Sequence, residues 1–173
     1  NGNKTISCGN GGIIIPSNTK LAKKIKHLST QAKKQHQFEY IHDEIGFNLR
    51  LSNINAAIGC AQLERLTSIL KNKRNNYRKY KKIFHDFKTI KIVKEPKHTT
   101  GNYWLICLKL EKNSNIKNYL LKKLNLANIN CRAIWRPLHK LKIYKKYQHD
   151  DMTITDKLYN SVINIPSSPS IKI

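Results

Sequence analysis

A chain of 173 residues is the size of one domain and can bury roughly 70% of the surface its unfolded form exposes. With 33 Lys and Arg against 10 Asp and Glu, the net charge of +23 puts nucleic acid first among partners. The basic residues, however, are scattered singly or in Lys-Lys pairs beside Asn and Ile instead of forming one stripe, and a missing, more acidic N-terminal half would lower the total. No apolar run nears the roughly 18 residues that span a bilayer. Cys8, Cys60, Cys107 and Cys131 form no CxxC, which argues against a zinc site or a disulfide framework and fits free thiols in a reducing cytoplasm.

The chain starts within a few residues of a Gly-rich turn, without a basic-then-apolar leader, and reads as a polypeptide entered in mid-fold and not secreted. Gly9, Gly11 and Gly12 lead into a predicted apolar strand at 13–15, which Pro16 ends. From Asn18 the pattern turns helical, with Leu21, Ile25 and Leu28 on one face and Asn18 or Thr19 as N-cap. Residues 31–47 show no period and read as an ordered loop. Ser52 then caps a helix expected over 53–84, in which Ile54, Ile58, Ala61, Leu66, Ile69, Leu70, Tyr77, Tyr80 and Phe84 recur near the helical period. At 1.5 Å per residue it would run roughly 45 Å, a length that bridges two domains or two subunits. After a polar connection at 94–101 the order becomes strand (103–110), helix (115–124), strand (130–135), a helical turn (142–147), helix (155–162) and a last strand (163–165) before Pro166. This gives three parts: 1–52 as the end of a large domain, 53–85 as a connecting helix, and 86–173 as a small α+β domain.

Lys4 is the first candidate for chemistry. A lysine that carries a cofactor through its amine needs a rigid turn, partial desolvation to keep the amine neutral, and a glycine-rich backbone that admits a bulky group. The same residues also suit an ordinary strand turn with a surface lysine. Gly9, Gly11 and Gly12 lack the spacing of a dinucleotide fingerprint or a P-loop. His42-Asp43-Glu44 resembles an acid/base or metal cluster, but adjacent residues on an extended segment face alternate sides and no second ligand group stands at HxxxH spacing, so no metal is expected. Tyr103 and Trp104 read as core or dimer contacts.

Five blocks in order carry a resemblance. Lys4 stands shortly before Gly9-Asn10-Gly11-Gly12 and Ile13-Ile14-Ile15. About forty residues on comes Gly46-Phe47-Asn48-Leu49-Arg50-Leu51-Ser52-Asn53-Ile54-Asn55-Ala56-Ala57-Ile58-Gly59-Cys60-Ala61-Gln62-Leu63. Asn102-Tyr103-Trp104-Leu105, Arg136-Pro137-Leu138-His139 and Asn164-Ile165-Pro166-Ser167-Ser168 complete the set. Together they resemble the sugar aminotransferases of the DegT/DnrJ/EryC1/StrS family, whose fold is the α/β fold type I of enzymes dependent on pyridoxal 5'-phosphate (PLP).

The resemblance implies the C-terminal portion of that fold: the end of the large domain, the connecting helix and the small α+β domain. It implies that Lys4 carries PLP and moves the proton between the substrate carbon and C4′ of the cofactor. It implies that Asn48 reaches the cofactor phosphate of the partner in a homodimer, with Arg50 at the same interface, an amide and a guanidinium both being phosphate donors. Trp135, Arg136 and His139 fall where the small domain faces the nucleotide sugar, where rings stack and arginine pairs with a diphosphate. Read from the residues alone, Asn48 is a turn residue after Gly46, and His139 is as well a packing residue as a ligand-binding one. Asn1-Gly2-Asn3-Lys4, Thr30-Gln31-Ala32-Lys33, Tyr40-Ile41-His42-Asp43-Glu44 and Asn164-Ile165-Pro166-Ser167-Ser168 are most similar to the subgroup serving legionaminic acid and bacillosamine-type sugars. Its members use glutamate to aminate C4 of a nucleotide-linked 4-keto-6-deoxy sugar.

In the family an aspartate for the pyridine nitrogen, a ring stacked on the cofactor and further phosphate donors precede the lysine. These 173 residues alone are therefore expected to show no aminotransferase activity and to expose the flank of 13–15. The rival class is a non-catalytic, basic nucleic-acid-binding module with salt-sensitive affinity, although no HTH, RRM or zinc-finger pattern is present. A decayed pseudoenzyme is a third reading.

Overall fold

The computed structural model describes residues 2–111, 114–171 and 173. The chain divides into two compact units, Asn1–Leu66 and Thr67–Ile173.

In the first unit, α1 (Thr19–Ser29) starts where Asn18 accepts the Leu21 N–H through its side chain at 2.9 Å, satisfying one of the donors a helix start leaves free. Gln31 and Ala32, at φ 68° and 49°, then reverse the chain. The segment expected to be a plain loop closes into a short antiparallel hairpin, β1 (Lys33–Lys34) with β2 (Ile41–His42). Two-residue strands in a polar stretch leave no alternation for a sequence pattern to report. The strand expected at 13–15 does not form. Ile13, Ile14 and Ile15 are 85%, 69% and 89% exposed, and none of the described strands lies beside them to complete a ladder.

One continuous helix over 53–84 is also corrected. Two helices stand there, α2 (Asn53–Glu64) and α3 (Leu66–Ile83), separated by Arg65, whose N–H turns to the Leu63 carbonyl. The halves answer to different surroundings: α2 buries no residue, whereas α3 fixes a stripe of Ile69, Lys73, Asn76 and Tyr77.

The second unit packs α3, α4 (Ser114–Leu126) and α5 (Thr153–Ser161) with a four-stranded antiparallel sheet of order β3-β4-β6-β5. Its strands are β3 (Ile90–Ile92), β4 (Ile106–Leu110), β5 (Arg132–Ala133) and β6 (Val162–Ile165). β4 begins three residues later than expected because Tyr103 sits at φ 47°, a left-handed conformation no strand accommodates. In the register Ile106 faces Ile165 and Leu108 faces Ile163. These four, with Tyr77 and Cys131, form the core, and Tyr80, Phe84, Leu121 and Leu124 pack on it. Ile106 and Ile163 are fully buried, and each such side chain contributes about 2 kcal/mol of transfer free energy. None of the described helices is long and apolar enough to cross a membrane.

Candidate functional site

Lys4 lies in the run of turns and bends at 2–6, with its side chain exposed. The turn after it is clamped. Ser52 caps α2 by accepting the Asn55 N–H at 3.3 Å, and Asn55 in turn donates its side-chain amide to the Cys8 carbonyl at 2.6 Å. Gly9 and Gly11 have φ of 83° and 134°. A Cβ on Gly9 would stand 2.9 Å from Asn55 Nδ2, and one on Gly11 2.6 Å from Leu51 Cδ1. The glycines therefore let the turn lie against the start of α2, and that contact directs the chain leaving Lys4.

Asn48 is held by a second clamp. Phe47 N–H donates to Leu28 O at 2.7 Å, Gln31 N–H to Phe47 O at 3.0 Å and Leu49 N–H to Ser29 O at 3.1 Å, with a bridge between Thr30 and Asn48. Gly46 permits this approach, because a Cβ there would stand 2.3 Å from the Gln31 carbonyl carbon and 2.4 Å from Ala32 N. The Asn48 and Arg50 side chains are displayed outward from it.

The same unit gathers a group that spacing alone does not predict. His27 Nε2 lies 2.6 Å from Asp43 Oδ1 and 4.0 Å from Glu44 Oε1, so both neighbouring carboxylates turn to one histidine and do not face opposite sides. Lys24 pairs with Glu44, and Lys34 lies 3.4 Å from Asp43. The hydrogen bond from His27 holds the Asp43 carboxyl below the usual range, opposed by burial. Two lysines pair with the two carboxylates and His27 hydrogen-bonds Asp43, which makes the cluster a brace between α1 and the segment after β2. His27 comes 16 residues before Asp43, too far for a local motif to connect them.

In the second unit, Trp135 is exposed and its ring stands 5.6 Å from that of Trp104. Both line a cleft of about 400 Å³ with Tyr77, Glu95, Tyr103 and Asn164. Arg136 is exposed. Pro137 then turns the chain into a 3-10 turn, Leu138–Lys140, which places His139 in a different cleft of about 410 Å³ beside Leu138, Tyr144, Tyr147, His149 and Met152. His139 Nε2 lies 3.0 Å from Asp156 Oδ1, and Lys140 Nζ lies 2.7 Å from Asp156 Oδ2. The block at 164–168 works as a latch. Buried Lys73 donates to Ser167 O at 2.6 Å, Asn76 to Ser168 O at 2.9 Å, and Ser167 Oγ to Trp104 O at 2.7 Å. Burial pushes the Lys73 ammonium below its ordinary value.

The fold is that of the PLP-dependent sugar aminotransferases of fold type I. The structure of Helicobacter pylori PseC, an aminotransferase involved in the biosynthesis of pseudoaminic acid, superposes with a TM-score of 0.79 at 18% identity, over 90% of this chain and 43% of that one. The chain belongs to the DegT/DnrJ/EryC1/StrS aminotransferase family, which it matches over residues 1–173. It is 34% identical over 174 residues to the GDP-perosamine synthase of Escherichia coli O157:H7, covering 98% of this chain and 45% of that protein. To the UDP-4-amino-4,6-dideoxy-N-acetyl-β-L-altrosamine transaminase of Campylobacter jejuni (strain 81-176) it is 30% identical over 168 residues, 94% of this chain and 44% of that protein. The chain thus spans a little under half the length of these relatives.

PLP presents an aldehyde and a phosphate dianion. The first unit offers an amine on an exposed, glycine-clamped turn and, on a separate backbone clamp, an amide and a guanidinium. That donor set suits both groups: the amine for the aldehyde, the two N–H donors for the phosphate.

Proposed function

We propose that this chain is the C-terminal portion of a cytoplasmic, homodimeric aminotransferase that moves an amino group from glutamate to C4 of a nucleotide-linked 4-keto-6-deoxy sugar. The observation that carries the proposal is Lys4 on its clamped turn, at the start of a match that runs through all 173 residues. Lys4 Nζ would hold PLP through its aldehyde and would take and return the proton at the substrate carbon, Cα of glutamate or C4 of the sugar. When bound, PLP supplies the electron sink for the carbanion. Asn48 and Arg50 donate to the phosphate across the dimer, and Trp135, Arg136 and His139 take the nucleotide sugar. The sugar belongs to the legionaminic acid or bacillosamine type.

The complete protein, incubated with PLP and reduced with borohydride, should carry the pyridoxyl group on Lys4. Lys4→Ala should lose both the label and the glutamate-dependent amination of UDP- or GDP-linked 4-keto-6-deoxyhexoses. A label on another lysine sinks the assignment. Preference for a GDP-linked sugar without an N-acetyl group overturns the choice of sugar alone. The 173 residues by themselves should give no turnover.

A further inference from the structure

His139 has a fixed partner that the sequence does not suggest. Asp156 lies in the first turn of α5, its backbone N–H bonded to Met152 O at 2.8 Å. One carboxylate oxygen is 3.0 Å from His139 Nε2 and the other 2.7 Å from Lys140 Nζ. The contact from Lys140, aided by His139 and opposed by burial, holds the Asp156 carboxyl below its usual range. It is therefore an ionised acceptor with no proton to give, so the hydrogen in the 3.0 Å contact sits on Nε2 of the imidazole. A neutral ring protonated there carries its lone pair on Nδ1.

The ring has little freedom to choose otherwise, since the His139 side chain is 13% exposed. His149 turns its own Nδ1 to the Asp150 carbonyl at 2.9 Å, and its ring centroid stands 5.4 Å from that of His139. Leu138, Tyr144, Tyr147 and Met152 give the cleft an apolar and aromatic wall, the surface on which the face of a pyranose packs while its hydroxyls seek polar partners.

We propose that Asp156 is a positioning residue that fixes His139 as the Nε2–H tautomer, so that Nδ1 accepts a hydrogen bond from a hydroxyl of the bound sugar. The sugar half of this statement rests on the function proposed above, and the tautomer half does not.

Two measurements test it. Long-range 1H–15N correlation of the histidines in the 173-residue chain, at a pH about two units above the histidine range, should show His139 protonated at Nε2. Asp156→Ala should turn it into a tautomer mixture, while Asp156→Asn, which keeps an acceptor oxygen, should preserve it. Wild-type His139 protonated at Nδ1 overturns the proposal without any variant. In the complete protein, with glutamate and a UDP- or GDP-linked 4-keto-6-deoxyhexose, Asp156→Ala should raise the sugar KM about tenfold at nearly constant kcat. Asp156→Asn should stay close to wild type. An unchanged KM in Asp156→Ala overturns the positioning role. If the wild type shows no turnover, the proposed function and the sugar contact fall together, and the spectra still decide the pairing of Asp156 with His139.

Discussion

Replacing Gly46 with alanine tests the clamp that carries Asn48. The added Cβ would stand 2.3 Å from the Gln31 carbonyl carbon, 2.4 Å from Ala32 N and 2.8 Å from Gln31 Cα. All three are main-chain atoms, so no rotamer change relieves the overlap and one strand of the clamp must move away. Overpacking of this kind costs about 1–3 kcal/mol. The displaced backbone also puts at risk the bonds Phe47 N–H to Leu28 O, Gln31 N–H to Phe47 O and Leu49 N–H to Ser29 O, each contributing about 1 kcal/mol net. A loss of about 2–4 kcal/mol is expected for the first unit, read from urea unfolding and from amide exchange at Gln31, Phe47 and Leu49. Gly12→Ala is the control, since nothing lies within 4 Å of its added Cβ, and should stay within about 0.5 kcal/mol of wild type. Undiminished protection of those three amides in Gly46→Ala would refute the reasoning.

Asp43 is held below its ordinary value chiefly by His27, so its contribution to stability is complete above the usual carboxylate range and fades as pH falls through the lowered value. Asp43→Asn should flatten the acid limb of stability against pH, and an identical slope counts against the brace. Lys73→Met leaves Ser167 O without its donor and should cost about 1–3 kcal/mol in urea unfolding, so a neutral result means the latch at 164–168 does not depend on it. The Tyr103 hydroxyl is pushed up to about 12 by burial and by Glu95. Its contribution is complete below the ordinary tyrosine range and fades as pH rises from there through that value. Burial also raises Tyr77 and Tyr80, so ultraviolet titration should show several late phenols, and Tyr103→Phe should remove the latest of them.

Local signals were the ones legible in the sequence. Asn18 with its spaced apolar residues announces α1, and the run ending at Pro166 announces β6, because a cap and a buried strand are written within a few residues. β3 leaves no such local signal, because three residues in a lysine-rich tract gain their identity only by pairing Ile90 with Leu110 and Ile92 with Leu108. The break at Arg65 is silent in the sequence because both flanking segments keep a helical period. Lys4, Asn48 and His139 are proposed as site residues through the family's ordered blocks. Their supports are not: Asn55 reaches Cys8 across 47 residues and Asp156 reaches His139 across 17, and no local pattern encodes such pairs. The block at 164–168, a landmark in the family, proves to be backbone that Lys73 and Asn76 hold in place.

Scarcity of acid gives the charge balance a structural meaning. Against 33 basic side chains stand 10 acidic ones, and at least seven of them are committed to particular partners, Asp86 to the neighbouring His85 among them. Asp43 meets His27 and Lys34, Glu44 meets Lys24, Glu111 meets Lys91 and Asp156 meets His139 and Lys140. Glu95 binds the Gly101 N–H, and Asp151 caps Thr153. Two effects of salt then oppose each other. Screening weakens exposed pairs such as Lys91–Glu111, and it relieves the mutual repulsion of a net charge of +23. The repulsion acts over the whole surface and the exposed pairs are few, while His139–Asp156 is partly shielded from solvent. The melting temperature should therefore rise as sodium chloride increases from low to moderate concentration. A steady fall over that range would mean that the pairs, and not the repulsion, govern the stability of the chain.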